Sequence, residues 1–485
     1  MVTKNERSRA AGRANRWNTL VAGIAVLFVA TGSAAPAAEL KRPHYQVRRF
    51  EEDWSVLAEV PAAERTGRFD AMKYVRLTED GWLWASFGAQ VRERIEAWSN
   101  FGFGAPADAD AVFLLSRMFA HADFHLGPAA RLFIEAKSSL ATDRDITGGR
   151  RTLDVDELDL QNGFAELRVP LADEGRMTLR VGREELLFGK QRLVSPLDWS
   201  NTRRTFDGIT ARFEAFGWSA TGFFSQLVRV KKYDPNTTND DVDLFGLYAT
   251  TSELRGLGGA DLYWLGLDRT SAAFNGDSGH ERRHTVGARL WGSIGEKRID
   301  YDLEAAYQFG DLGSADVSAF MIASQAGTSI AALGYHPRVE VGFDYASGDD
   351  EPGDGDVETF NQLYPLGHAY LGYIDLVGRQ NIIDLRGTTV WPFFLRSKIK
   401  VDLHSFWRAS TDDGLYNAGG KLLRAGSAGD SRHVGIELDM TVKRPVSPHT
   451  LVVLGYHHFF PGDFVEQSGR SRDVDFAYLS VQYTI

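Results

Sequence analysis

Hydrophobic and polar residues alternate along this chain over stretches longer than an ordinary soluble strand. In residues 395–408, Leu395, Ile399, Val401, Leu403 and Trp407 share one face, with Ser397 and Ser405 as weak members. Arg396, Lys398, Lys400, Asp402, His404 and Arg408 share the other. Residues 298–309 set Ile299, Tyr301, Leu303, Ala305, Tyr307 and Phe309 against Arg298, Asp300, Asp302, Glu304 and Gln308. Residues 338–345 and 433–443 repeat the pattern, the second with Glu437, Asp439 and Lys443 on its polar face. Successive side chains of a strand point to opposite faces, so a strand with lipid on one side and water on the other alternates over its whole length. Soluble strands usually run for about five or six residues. The longer runs here fit tilted membrane strands of about 9–11 residues or more.

The connections between the runs give a second test. Short breaks fall at Gly127-Pro128, 170–175, Phe216-Gly217, 255–259, Gly295-Glu296, His336-Pro337, Pro392 and 445–449. Longer polar breaks fall near 99–110, 140–155, 187–204, 230–242, 269–281, 310–325, 347–379, 410–431 and 460–472. Short and long connections in turn predict an all-β fold: a transmembrane, antiparallel, up-and-down β-barrel of about 18 strands. The first strand is expected at 83–98 and the last at 473–485, both ends returning to the short-turn side. Parity is ambiguous over 158–169, and the Ala-rich stretch 320–333 is nearly featureless.

Composition narrows the function classes. The chain has no Cys, which excludes disulfides, thiolate metal sites and cysteine nucleophiles. A net charge of −11 argues against nucleic acid as a partner, because such binding needs a basic face. Lys4, Arg7, Arg9, Arg13 and Arg16 precede an apolar run over 20–30 and small residues up to Ala37. That run is too short to span a bilayer as a helix, so 1–37 reads as a secretory signal peptide. Residues 38–82, with Arg48, Arg49, Trp54 and Trp82, read as a periplasmic N-terminal extension that packs under the pore or meets a periplasmic partner. Residues 83–485 read as the barrel, which places the protein in the cell outer membrane.

The inward register is rich in cations. The candidate pore-lining set is Arg180, Arg183, Arg212, Arg289, Arg386, Arg396, Lys398, Lys400, His404 and Arg408, with Glu437 and Asp439. Arg131, Lys137 and Arg283 share that register, as do Glu135, Asp302, Glu304, Asp384 and Asp402. Two readings stand: mutual ion pairs that fill the interior, or a cationic track for an anion, since Arg and Lys rings are the usual anion selectors. The acidic stretch 349–358 lacks full calcium-loop spacing and reads as a solvated outer loop. His121, Asp123 and His125 share a strand face, but successive members are about 7 Å apart, too far to hold one zinc unaided. No paired nucleophile and base stands out, so the expectation is a passive channel, not an enzyme, with no metal or cofactor. Its expected partners are outer-membrane lipid and lipopolysaccharide, with an anionic saccharide or small anionic solute as cargo.

Several segments carry a family likeness. Leu179-Arg-Val-Gly-Arg183, His404-Ser-Phe-Trp-Arg408, Gly435-Ile-Glu-Leu-Asp439 and Phe460-Pro-Gly-Asp463 resemble segments of the outer-membrane alginate export proteins. Arg192-Leu-Val-Ser-Pro196, Arg204-Thr-Phe-Asp-Gly208, Thr359-Phe-Asn-Gln-Leu-Tyr-Pro365 and Asn381-Ile-Ile-Asp-Leu-Arg386 resemble a broader set of porins sharing that domain. The resemblance implies an 18-stranded barrel with an arginine-rich constriction that passes a polyuronate. It makes Arg183 a pore residue, whereas strict parity puts Arg183 beside Val181 on the lipid face. A bulge, or a position above the membrane, would reconcile the two.

Overall fold

A computed structural model describes residues 42–104, 109–172, 174–254, 256–295 and 299–485. The expected signal peptide, 1–37, and Arg298 lie outside the described residues. The described chain is built from eighteen antiparallel strands. These are β1 (Leu83–Ser99), β2 (Ala111–Leu126), β3 (Ala130–Ala141), β4 (Asp156–Pro170), β5 (Arg176–Glu184) and β6 (Phe206–Ala215). Then come β7 (Trp218–Arg229), β8 (Thr237–Leu254), β9 (Gly258–Phe274), β10 (Asp277–Ile294), β11 (Ile299–Leu312) and β12 (Ala315–Ser329). The circuit finishes with β13 (Arg338–Ala346), β14 (Ile382–Pro392), β15 (Lys398–Trp407), β16 (His433–Pro445), β17 (Thr450–Pro461) and β18 (Val474–Thr484). Each strand pairs with the next, and β1 pairs with β18 from Gln90↔Thr484 to Ser99↔Asp475, so the sheet closes.

Alternation sets the two faces. Val181 (51 % exposed), Leu262 (52 %), Val341 (62 %) and Leu403 (52 %) stand on the outer wall, as lipid contact requires. Arg92, Arg117, Glu135 and Asp439 point inward and are buried. The ambiguous parity of 158–169 has a cause: the β3–β4 register slips between Glu135 and Ala136 and again between Lys137 and Ser139. Each slip shifts which residues face inward, and Gln161 and its neighbour Asn162 are both buried.

Two of the expected long loops are tight turns. The 269–281 break is filled by the ends of β9 and β10, joined by Asn275-Gly276 with φ of 40° and 108°. Positive φ at both central residues suits the right-handed twist of a hairpin, and Asn-Gly adopts it readily. The 310–325 break is likewise occupied by β11 and β12. Their raised ends form a satellite core of Phe274, Leu312, Ala315 and Val317 with Val357 from the 347–381 connection. Asp356 and Val357 also pair in parallel with Asp316 and Val317 of β12.

The remaining core lies inside the barrel. Leu186, Leu193 and Val194 of the 185–205 connection pack with Phe360, Leu371, Ile374, Leu376 and Val377 of the 347–381 connection. Inward residues of the strands, among them Phe223, Phe406, Phe459 and Tyr478, complete the cluster. The two connections are stitched to each other where Tyr364 N donates to Leu193 O (2.8 Å) and Leu366 N to Gln191 O (2.9 Å). From the short-turn side, residues 44–76 enter the mouth as short helical turns, so they belong to one compact unit with the barrel, 44–485.

Candidate functional site

Arginines hold the inward connections to the wall. Arg92, Arg94 and Arg117 rise from adjacent strands β1 and β2 on the inner face. Arg92 donates to Asp198 O (2.9 Å) and Ser200 O (2.8 Å), and Arg94 to Trp199 O (2.7 Å). Arg117 reaches Asp198 O and its carboxylate, both at 2.9 Å. Burial pushes the Asp198 carboxyl up, but Arg117, Arg203 and Arg92 together hold it well below the usual carboxylate range. On the far side, Arg192 pairs with Asp302 and Glu304, each at 2.8 Å. Arg203 binds Glu185 (2.6 Å) and Arg204 binds Tyr364 O (2.7 Å). The segments Arg192–Pro196, Arg204–Gly208 and Thr359–Pro365 singled out in the sequence thus belong largely to these anchored inward connections.

Below them, toward the short turns, lies a cavity of about 640 Å³. Its roof is Leu186–Gly189, its floor is Arg48–Asp53 without Arg49, and its walls come from the inner faces of β2 to β10. Seven arginines (Arg48, Arg131, Arg168, Arg176, Arg180, Arg212, Arg289) and seven carboxylates (Glu51, Glu52, Asp53, Glu166, Glu184, Glu214, Asp261) line it, so its formal charge is balanced. The charges are layered, however. Arg168 is 35 % exposed over Glu166 at 2 %, and Arg176 and Arg212 are 54 % and 48 % exposed over Glu214 at 29 %. On this part of the wall guanidinium groups meet the solvent with their acids behind, whereas at the floor Glu51, 38 % exposed, stands in front of Arg48 at 16 %.

Three of the sequence-selected residues, Arg180, Arg212 and Arg289, line this cavity. Arg180 is held by Glu166 and Glu184, both at 2.6 Å, and Arg289 by Asp302 and Asp261 at 2.6 and 2.8 Å. His404 points inward but is sealed between Asp384 (2.9 Å) and Asp439 (3.7 Å). Glu437 and Asp439 are covered too: Glu437 accepts Ile374 N (2.9 Å) and Asp439 pairs with His457 (2.7 Å). Arg386 holds the 347–381 connection through Tyr370 O (3.1 Å) and pairs with Glu340 (3.3 Å).

The expected track of Arg396, Lys398 and Lys400 is corrected in one member. Arg396 lies in the 393–397 turn with φ of 63°, exposed, because β15 begins only at Lys398. Lys400 pairs with Asp402 (2.8 Å), while Lys398 sits directly opposite Lys443 of β16. Arg183 is corrected as well. The β4–β5 and β5–β6 registers run without a slip, so Arg183 shares the outer face of Val181 and pairs there with Asp207 (2.7 Å) and Asp159 (3.1 Å). Arg408 lies beyond the end of β15 and is buried, donating to Thr411 O (2.7 Å) and Ser431 O (2.8 Å) as a staple of the 408–432 connection.

Sequence reasoning missed Arg168, Arg176 and Arg48. Arg176 was accessible by counting two residues at a time back from Arg180. Arg168 was hidden by the bulged β3–β4 pair, and nothing local marks Arg48 as a cavity residue. Among the described residues, no three His, Asp or Glu side chains gather in a metal-binding arrangement.

The family model for alginate export matches residues 83–477. No curated protein matches the sequence. Among solved structures, OpdO of Pseudomonas aeruginosa superposes with a TM-score of 0.54 at 14 % identity, covering 83 % of this chain and 97 % of its own. OccD3 (OpdP) from the same organism gives 0.54 at 10 % identity, with coverage of 85 % and 93 %. OpdK, solved with vanillate, gives 0.53 at 11 % identity, with coverage of 82 % and 98 %.

Proposed function

The chain belongs to the alginate export family and forms an outer-membrane channel, and we propose that it passes anionic solutes, carboxylated saccharides such as uronate fragments among them, by passive diffusion. The order of charges across the cavity wall carries this reading: Arg168, Arg176 and Arg212 present their guanidinium groups to solvent in front of more buried carboxylates. A planar guanidinium offers paired donors that match a carboxylate, so an anion meets donors before it meets repulsion. Because Glu166 and Glu214 already occupy part of each fork, every contact is weak, and a series of weak sites lets a solute move on. The family to which the chain belongs favours transport rather than catalysis.

The balance of seven arginines against seven carboxylates favours a second reading, a general porin with little charge preference. Planar-bilayer recordings under a salt gradient separate the two. The anion reading expects a zero-current potential of the anion-selective sign and concentration-dependent block by added oligouronate. A cation-selective or neutral potential with no block would establish the general porin instead.

A further inference from the structure

The floor of the cavity is not part of the barrel. It is the chain ahead of β1, seated in the mouth by contacts along its length. Phe50 packs edge-on against Phe133 (5.6 Å between centroids) and Phe164 (5.1 Å), both on the inner wall. Its carbonyl accepts Arg131 Nη2 at 2.8 Å. Arg49 is buried: it binds Glu52 (2.5 Å) and donates to Ile485 O (2.7 Å), where β18 ends. Trp54 Nε1 donates to the same Glu52 carboxylate at 2.9 Å, and Lys73 Nζ lies 4.9 Å from the Trp54 ring. Tyr45 OH meets His449 Nδ1 (3.0 Å) in the β16–β17 turn.

These latch residues alternate with others that do no latching. Glu51 and Asp53 are exposed between the buried Phe50, Glu52 and Trp54, and they line the cavity together with Arg48. A segment held by alternate side chains, with the intervening ones turned to a solute-sized space, has the form of a pore-lining strap.

We propose that residues 44–57 are a resident strap that forms the periplasmic gate of the channel, with Arg48, Glu51 and Asp53 as specificity-determining residues beside the solute path. The proposal rests on the channel reading above and adds a location for the gate and residues that tune it. With Phe50 and Arg49 seated, a solute passes between the strap and the inner faces of β4–β7. With them released, the mouth opens to the full width of the barrel.

The absence of Cys makes the test direct, since an introduced thiol is then unique. Glu51→Cys and Asp53→Cys are made in the full chain, reconstituted in planar bilayers and treated with cationic or anionic methanethiosulfonate reagents. The expected result is a conductance loss of about twofold with either reagent, from crowding of a narrow passage, and opposite shifts of the zero-current potential with the two charges. The double variant Arg49→Ala/Phe50→Ala should raise conductance by about twofold or more, because pore conductance grows with open cross-section. Phe50→Cys/Phe164→Cys, oxidised to a disulfide, should hold the low-conductance state until reduced. Thiols that label fully, by mass, yet leave conductance and potential unchanged would overturn the proposal, as would thiols that do not react. A silent wild type whose Arg49→Ala/Phe50→Ala variant conducts supports a closed gate. Silence in both sinks the channel reading itself, and the two failures are thereby distinguished.

Discussion

Arg212→Glu is the sharpest test of the layered cavity wall. Arg212 is half exposed and binds Glu214 (2.9 Å) and Ser219 Oγ (2.8 Å), so it can be replaced without opening a buried hole. The change alters the local charge by two. A solute passing about 7 Å from that site feels about 0.6 kcal/mol per unit charge in water-like dielectric, hence about 1.2 kcal/mol for the reversal. Screening at physiological salt, with a Debye length of about 8 Å, reduces this to about 0.5 kcal/mol. That is about a 2.3-fold change in partition for each ion, lower for the anion and higher for the cation, and the two multiply. The anion-to-cation permeability ratio should therefore fall about fivefold, read from the zero-current potential under a salt gradient. Glu214→Lys should move the ratio the other way. A ratio that stays within about twofold of wild type in both variants would show that solutes do not travel along this wall, and the reasoning from exposed guanidinium groups fails.

Three further outcomes follow from the buried anchors. Arg117→Met removes the grip on Asp198, whose side chain is 36 % exposed and still faces Arg203, and should cost about 1.5–3 kcal/mol locally. Amide exchange in 192–205 should then speed by about one to two orders of magnitude, and unchanged protection would refute the anchoring. Burial, helped by the nearby Asp413 and Glu358, pushes the Asp349 carboxyl up to about 6, so its protonated form is favoured when the 347–381 connection is docked. Stability from this group is full below the usual carboxylate range and lost as pH rises through about 6; Asp349→Asn should abolish the pH dependence of proteolytic nicking in 350–356. Burial, then Arg49, pulls Lys73 down to about 7, against Glu52 and Asp123, which act the other way, with Tyr45 and His121 also facing it. Lys73 lies outside the strap but packs on its Tyr45 and Trp54, and once the strap is released it holds its proton up to about 10.5, so docking strengthens by up to about 1.4 kcal/mol per pH unit between about 7 and 10.5. Lys73→Met should flatten that slope in a conductance titration.

The barrel was legible because its cause is local: lipid on one side and water on the other impose a period of two on each strand separately. The limits of β1 and β18 could be placed within a residue or so for that reason. The tight turns at 275–276 and 313–314 show where polarity misleads, since strands rising above the bilayer lose the lipid requirement and read as loop. The site was less legible because inward parity is necessary for reaching the cavity and not sufficient. His404, Glu437 and Asp439 point inward and are covered by 347–381, a contact spanning many residues that no period records. Arg183 was settled by register, which parity alone had anticipated against the family motif.

The strap also bears on how the wall is finished. β1 reaches further toward the short-turn rim than β18 does: Ala89 exchanges backbone bonds with Ile485, and beyond that point Ala85 and Trp84 pair with Val75 and Arg76. The rim of the seam is thus completed by the chain that leads into β1, and Arg49 fastens it to a residue 436 positions away. Contacts of such separation form late, because loop closure must be met before they can stabilise anything. Sealing the cylinder and fastening its floor through Arg49 consequently depend on the same last residue. A chain that has not yet brought its last strand home has both an unpaired edge at β1 and a floor held by Phe50 on the β3–β4 wall without its Arg49 anchor.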